Sequence, residues 1–433
     1  TDGTPAGTAL VKDILPGALG SYPHGLVGYG GRLYFAAYDG RADRLFRTDG
    51  TAAGTAVVSD LGFAPGGSPT TSYSWMDNLT VFNGGLYFTF YHDRVVDLYR
   101  TNGTAVGTLR LARLSLVDSG PGIANLTVVK GLLFFTATRT GDTHELWRTD
   151  GTVAGTRLVR GFRTGGLGSS GPGHLTALGN TLLFTADDGV RGNELWKSDG
   201  TTAGTVLVKD VNPGPASAFL PAYYFSGTDK AFPVVGGVAY FSADDGAHGG
   251  ELWKSDGTAK GTVLVKDIFS GSGSLWPGGP VTPNTSGISW LTAFNGQVYF
   301  SATDGTRGYE LWKTDGTSKG TVLVKDIYPG SSASSPVPGI PTNSGYPVNL
   351  TVFNGALYFA AIDPQRGREL WVTDGTAAGT RLAAEVVPGP RDGVGISSVP
   401  SGRGIWGAGG KLYLIGWDAA HGPELWWFAP PPG

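Results

Sequence analysis

The residues best suited to chemistry in this chain are carboxylates spaced by glycines. Three segments carry them: Asp187-Asp188-Gly189-Val190-Arg191-Gly192-Asn193-Glu194, Asp244-Asp245-Gly246-Ala247-His248-Gly249-Gly250-Glu251 and Asp304-Gly305-Thr306-Arg307-Gly308-Tyr309-Glu310. Calcium takes six to eight oxygen ligands, so Asp187, Asp188, Asp244, Asp245 and Asp304 are candidate Ca2+ ligands. None of the three segments completes an EF-hand loop with its distal Glu. The competing reading is a turn closed by an Asp–Arg contact, with no metal cofactor. A carboxylate pair for glycoside chemistry can be drawn from Asp77, Asp229 and Asp392, but nothing in their spacing selects among them. The chain has no H-E-x-x-H, no G-x-S-x-G and no phosphate loop, and its six His are scattered. Enzymatic activity is therefore left open, with the balance against it.

A second set of candidates is aromatic and polar. Tyr73, Trp75, Tyr223, Tyr224, Phe225, Trp276 and Tyr346 stand in stretches rich in Gly, Ser, Pro and Asn. Aromatic rings among small polar neighbours suit stacking on a sugar or a peptide. They equally suit pinning a long loop to its scaffold.

These candidates are positioned by a repeat. The tag [T/S]-[D/N]-G-T begins at Thr1, Thr48, Thr101, Thr149, Ser198, Ser255, Thr314 and Thr373, spaced by about 50 to 60 residues, a propeller-blade period. In the copy nearest the C-terminus of the series, four short β-like runs follow one another: Leu350–Phe353, Leu357–Ala361, Glu369–Val372 and Thr380–Val386, here termed A, B, C and D. Asn354-Gly355 joins A to B as a tight hairpin, and the tag joins C to D with turn-forming Asp, Gly and Thr. The chain begins in a tag and ends on a C-type run, Glu424–Phe428. The expected fold is all-β: one domain over residues 1–433, an eight-bladed β-propeller of four-stranded antiparallel blades. Residues 1–15 would supply the outer strand of the last blade and close the ring.

The pattern E-L-W-x-[T/S]-D-G-T, strongest at Glu194-Leu195-Trp196, Glu251-Leu252-Trp253, Glu310-Leu311-Trp312 and Glu369-Leu370-Trp371, resembles the ELWxxDGT repeats of bacterial surface or secreted proteins. The likeness runs along essentially the whole chain and decays at Arg44-Leu45-Phe46 and Asp97-Leu98-Tyr99. It implies a propeller-type repeat and an extracellular, cell-surface or periplasmic setting. It implies no catalytic residue.

The repeated aromatic (Phe46, Tyr99, Trp147, Trp196, Trp253, Trp312, Trp371, Trp426) reads as packing between blades. The repeated Glu reads as an acceptor for backbone amides. In a propeller the A strand lies innermost, so its opening residues Asn78, Asn125, His174, Trp290 and Asn349 would rim a channel on the face carrying the B–C and D–A connections.

Composition bounds the rest. The 72 Gly and 27 Pro of 433 residues punctuate short elements, while 40% apolar and 11% aromatic residues argue for a packed core. A net charge of -3 offers no footprint for nucleic acid. No apolar run is long enough to span a membrane as a helix. The absence of Cys excludes disulfides and thiolate metal sites, and a start at Thr1 fits removal of a signal peptide. The expected function is an exported, non-catalytic binding or adhesion propeller, monomeric or a module of a larger assembly. It would hold a protein or carbohydrate ligand on the long D–A loops. The alternatives are a carbohydrate-active hydrolase or lyase and an architectural component of a surface assembly.

Overall fold

A computed structural model describes residues 10–17, 20–59, 61, 74–92, 95–115, 122–139, 143–163, 171–219, 231–274, 279–330, 343–386, 389, 392–394, 405–408, 411–418 and 422–428. Among these residues there is no α-helix, and hence none long and apolar enough to cross a membrane. Strands gather into seven four-stranded sheets, one three-stranded sheet and one two-stranded ribbon. Each large sheet is an antiparallel meander, the blade unit of a β-propeller. Two compact units divide the chain, residues 1–182 with 198–205, and residues 183–197 with 206–433. Within each unit the A strands of neighbouring blades lie side by side.

The sixth blade shows the pattern: Ser289–Phe294, Gln297–Thr303, Tyr309–Thr314 and Val322–Lys325. Its A–B turn uses Asn295 and Gly296, both with positive φ (47° and 72°), as a type I′ hairpin requires. D strands are shorter than their sequence suggests. In the seventh blade D spans Arg381–Ala384, because the amide of Val386 leaves the ladder and donates to the Glu369 carboxylate at 2.7 Å.

The tag is a self-contained hydrogen-bonded turn. In the sixth blade Asp315 Oδ1 accepts from the amide of Thr317 (2.8 Å) and from its hydroxyl (2.7 Å). Thr317 Oγ1 accepts from the amide of Gly320, and the Thr314 and Thr321 hydroxyls meet at 2.7 Å. The same set recurs around Asp49, Asn102, Asp150, Asp199, Asp256 and Asp374. Gly320 is obligatory, since a Cβ there would overlap the Asp315 carboxylate.

Each tag is also gripped by the preceding blade. Lys254 donates to the carbonyl of Gly316 and Lys266 to that of Thr321, both at 2.8 Å. The Lys266 ammonium also sits 6.0 Å above the Trp312 ring. Lys209 and Lys325 repeat this posture over Trp253 and Trp371. Trp312 is 7% exposed and packs with Tyr240, Leu252 and Val265 of the fifth blade. The aromatic ladder is therefore blade-to-blade core, with a cation laid over the rings of Trp253, Trp312 and Trp371.

The last blade contains three described strands, Ile405–Ala408, Lys411–Asp418 and Gly422–Phe428. The segment expected to complete it, residues 1–15, is not a strand in its described part, 10–15, and residues 1–9 lie outside the described residues. Toward the first blade, however, this segment behaves as a D strand behaves toward its neighbour. Lys12 donates to the Thr55 carbonyl at 2.7 Å, and Ile14 packs against Phe35, Ala37 and Phe46.

The clasp sets a first expectation. Trp312→Ala should lower stability by roughly 3–5 kcal/mol as a buried large-to-small change. Lys266→Met should cost roughly 1–2 kcal/mol through the lost charged hydrogen bond. Urea unfolding followed by circular dichroism checks both, and equal small effects would place the Trp outside the core.

Candidate functional site

The face formed by B–C and D–A connections is framed by buried glutamates. Glu and Trp of the E-L-W triplet are two residues apart, so they project from the same side of the C strand. Glu194, Glu251, Glu310 and Glu369 have no exposed surface. Glu310 accepts from the amides of Ile327 (2.8 Å) and Gly345 (2.8 Å), 17 and 35 residues along the chain. It thereby holds both ends of the intervening D–A connection. Glu251 does the same with Ile268 and Ser286, whereas Glu194 accepts from Val211 and Ala218, both near the start of a connection that runs on to Val234. Burial pushes the carboxyls of Glu194, Glu251 and Glu310 up to about 7, although the amide bonds pull the other way.

Each of these three connections is also stitched between blades. Ala218 accepts from Asp244 N and donates to Asn193 O. Ser286 accepts from Thr303 N and donates to Gly250 O, and Gly345 accepts from Ile362 N. The connections held by Glu251 and Glu310 are thus fixed at both ends.

In the second blade Asp97 replaces the glutamate. It is fully buried, and Arg113 clamps it through Nε (2.8 Å) and Nη2 (2.7 Å) while His92 Nε2 lies 3.1 Å away. Burial opposes the ionised form, but these partners outweigh it and hold the carboxyl below its ordinary range.

The five aspartates weighed as Ca2+ ligands close their own loops. Asp187 accepts from Gly189 N, and Asp188 accepts from Val190 N and Arg191 N while pairing with the Arg191 guanidinium. Asp244 accepts from Gly246 N, and Asp245 accepts from Ala247 N and His248 N and pairs with His248 Nδ1 at 2.9 Å. Asp304 accepts from Thr306 and Arg307 and pairs with the Arg307 side chain. Among the described residues no three carboxylate or imidazole groups converge as a metal cluster would.

The residues expected to rim a channel share one backbone state. Asn78, Asn125, His174, Trp290 and Asn349 have φ between 53° and 59°. At Asn78, Trp290 and Asn349 the A–B register shifts, as at a β-bulge. The threonine two residues on (Thr80, Thr127, Thr176, Thr292, Thr351) donates its hydroxyl to the bulged residue's carbonyl. Asn78 Nδ2 reaches Ile123 O of the next blade at 3.1 Å, and Asn349 is buried. The repeated N-L-T spelling was a visible signal for this bulge. It identifies a strand-entry device in the residues that the innermost place of the A strand puts at the channel rim.

Two expected aromatic residues are exposed platforms. In the first unit, Trp75 is 51% exposed and stacks on His24 at 4.2 Å. His24 directs Nδ1 at Tyr22 O (3.0 Å) and Nε2 at Met76 O (2.8 Å). Carbonyls only accept, so both ring nitrogens carry protons. Buried Asp43, 3.4 Å from Nε2, supports that cation, and the imidazolium is held up to about 9. In the second unit, Tyr346 stacks on Tyr309 at 5.2 Å. Tyr73, Tyr223, Tyr224, Phe225 and Trp276 lie outside the described residues.

No family profile and no curated protein sequence matches the chain. Among solved structures it resembles a puromycin hydrolase (17% identity, TM-score 0.39, 91% of this chain and 58% of that one). It also resembles a prolyl endopeptidase (12%, 0.44, 84% and 49%) and the β-propeller domain of the trilobed protease of Pyrococcus furiosus (10%, 0.36, 85% and 99%). The chain spans about half to three-fifths of the length of the first two. At these values the likeness concerns the propeller pattern and nothing finer. The expectation of a non-catalytic binding and adhesion propeller is corrected at this point. The similar solved structures are mostly peptidase propellers, an acylaminoacyl peptidase of Pyrococcus horikoshii included. The described ends of the D–A connections beside Glu251 and Glu310 are sewn into the blades by those glutamates.

The latch has a pH signature. Its glutamates bind protons more tightly folded than unfolded, so unfolding free energy should fall as pH rises from about 4.5 to about 7. Glu251→Gln should flatten part of that slope. At pH 7 it should cost roughly 1–3 kcal/mol, because an amide N–H would face a buried backbone N–H. Thermal melts across this interval test it, and a rising stability contradicts it.

Proposed function

We propose that this chain is the propeller module of a hydrolase-type protein. It presents substrate on the face of the B–C and D–A connections, and the bond-breaking groups lie outside the described residues. The hydrolase class is a hypothesis taken from the names of the similar structures. The observation that carries the module reading is the engagement of the buried carboxylates. Asp43 and Asp97 hold a His or Arg, Glu145 holds the Trp147 indole N–H, and Glu194, Glu251, Glu310 and Glu369 hold backbone amides. Asp363 closes its own loop with Gln365 and Arg366. A general acid or base needs a proton partner on the substrate, and these groups are already committed to the fold, whereas Asp210, Asp267 and Asp326 at the ends of the D strands each keep one buried Oδ1 without a hydrogen bond.

The same reading includes ring closure by residues 1–15. It is supported by Lys12 and Ile14, which meet the first blade as Lys266 and Ile268 meet the sixth, and by the amide of Tyr38 donating to Ser21 O at 2.8 Å. An exported setting follows from the ELWxxDGT resemblance.

Two experiments test the reading. Incubated with blocked aminoacyl-coumarin peptides and nitrophenyl esters, the chain should bind saturably without turnover. Turnover would put catalytic groups in the blades, and no binding at all would end the hydrolase reading. For closure, the pairing Trp371↔Leu382 translates to Trp426 opposite Leu10. In this Cys-free chain, Leu10→Cys with Trp426→Cys should form an intramolecular disulfide, seen as a faster non-reduced gel band. A doubly free thiol count under oxidation would rule closure out.

A further inference from the structure

The geometry points to a ring-binding subsite in the first unit, where Trp75, backed by the imidazolium of His24, takes an uncharged aromatic side chain of a peptide substrate. Only the peptide origin of that ring rests on the hydrolase reading.

The scaffold does not ask for an aromatic residue at this position. Gly25, Asn78, Asn125, His174, Trp290 and Asn349 all have positive φ where their A strands begin, except that Gly173 and its kin leave that of His174 unchanged in kind. Three residues before them stand Tyr22, Trp75, Gly122, Gly171, Gly287 and Tyr346. Glycine therefore serves the fold there in other blades. In the first unit the two aromatic occupants are exposed, Tyr22 by 73% and Trp75 by 51%. They open neighbouring A strands, and the strands His24–Tyr29 and Trp75–Phe82 lie side by side.

Exposure alone would mean little, but Trp75 is fixed on both sides. The Ser74 hydroxyl accepts from Asp43 N at 3.1 Å, and Asp43 Oδ2 accepts from Met76 N at 3.1 Å. His24 Nε2 donates to Met76 O, and its ring lies 4.2 Å from the Trp75 ring at 14°. The imidazolium thus covers one face of the indole. Half of the residue stays exposed, so the opposite face meets solvent. A platform fixed before its ligand arrives loses little freedom on binding.

The polar atoms beside the platform select the ligand by what they already do. Both His24 nitrogens donate to carbonyls, and the buried Asp43 carboxylate accepts from Met76 N. Asp77, the exposed carboxylate two residues on, turns Oδ1 to Asn78 N at 2.7 Å. A sugar stacked on Trp75 would need such groups for its hydroxyls, whereas an aromatic ring needs only the open π face. The cation behind the indole adds a charge preference. It already takes up the attraction of the ring for positive charge, and a second cation on the outer face would meet it as a like charge.

The test uses the whole chain and ligand-observed fluorine NMR with N-acetyl-para-fluorophenylalanine amide as the probe. The probe should bind saturably, and the surface substitution Trp75→Ala should weaken it about tenfold. N-methylpyridinium should compete about fivefold less well than N-acetyltyrosine amide, and methyl glucoside should not compete. His24→Gln should close the gap between neutral and cationic rings, and if it does not fold, Trp75→Ala carries the test. Undiminished probe binding in Trp75→Ala, equal competition by N-methylpyridinium, or stronger competition by methyl glucoside overturns the proposal. Blocked aminoacyl-coumarin peptides that bind the wild type and Trp75→Ala alike leave the hydrolase reading standing and overturn this subsite. Probe binding that depends on Trp75, without any peptide binding, supports the ring site and ends the hydrolase reading.

Discussion

The architecture depends on one repeated contact, the grip of a blade on its neighbour's tag turn. A lysine from the end of a D strand lies over the next blade's tryptophan and donates to a tag carbonyl, as Lys266 does to Thr321 above Trp312. A second cation, Lys254, holds the carbonyl of Gly316 in the same turn. The turn must therefore be rigid before it can be gripped. Its own Asp and Thr hydrogen bonds provide that rigidity with short polar side chains. Apolar burial supplies most of the stabilisation, and the cations fix the relation of one blade to the next.

A different constraint governs the opposite face. Long D–A connections would leave backbone amides without partners wherever they cross the blade top. Glu310 and Glu251 accept those amides at the entry and the exit of their connections, and Glu194 and Glu369 accept them at the entry. The consequence is a buried carboxylate whose ionisation is disfavoured by burial and whose hydrogen bonds partly restore it. Where the glutamate is missing the solution changes, and Asp97 recruits Arg113 and His92. The face therefore combines a conserved mechanical role within the repeats with variable side chains immediately beside it, among them Asp43, Asn193, Tyr309 and Arg368.

Much of the blade was legible in the sequence because its signals are local. The Asn-Gly hairpins, the tag turns and the packing role of the E-L-W aromatic all depend on neighbours a few residues away or on the period-two alternation of strands. The acceptor role of the glutamate was also legible, though not its partners, which lie 17 and 35 residues along the chain. The row Asn78, Asn125, His174, Trp290 and Asn349 was legible as the opening of each A strand, but residue type does not report φ. Its place in a bulge became clear only once the register of two strands was known.

The sequence by itself determined the repeat, the strand count of a blade and the turn chemistry, since each follows from spacing and local backbone preference. Tertiary structure decided which charges are satisfied. His24 is held as a cation by buried Asp43 and by the carbonyls of Tyr22 and of Met76 in the next blade, and Asp97 stays ionised because Arg113 is folded onto it. Arg368 is left short of a partner because its blade buries it beside a single exposed carboxylate. Burial and long-range pairing set these electrostatic states, and neither is encoded in the order of neighbouring residues.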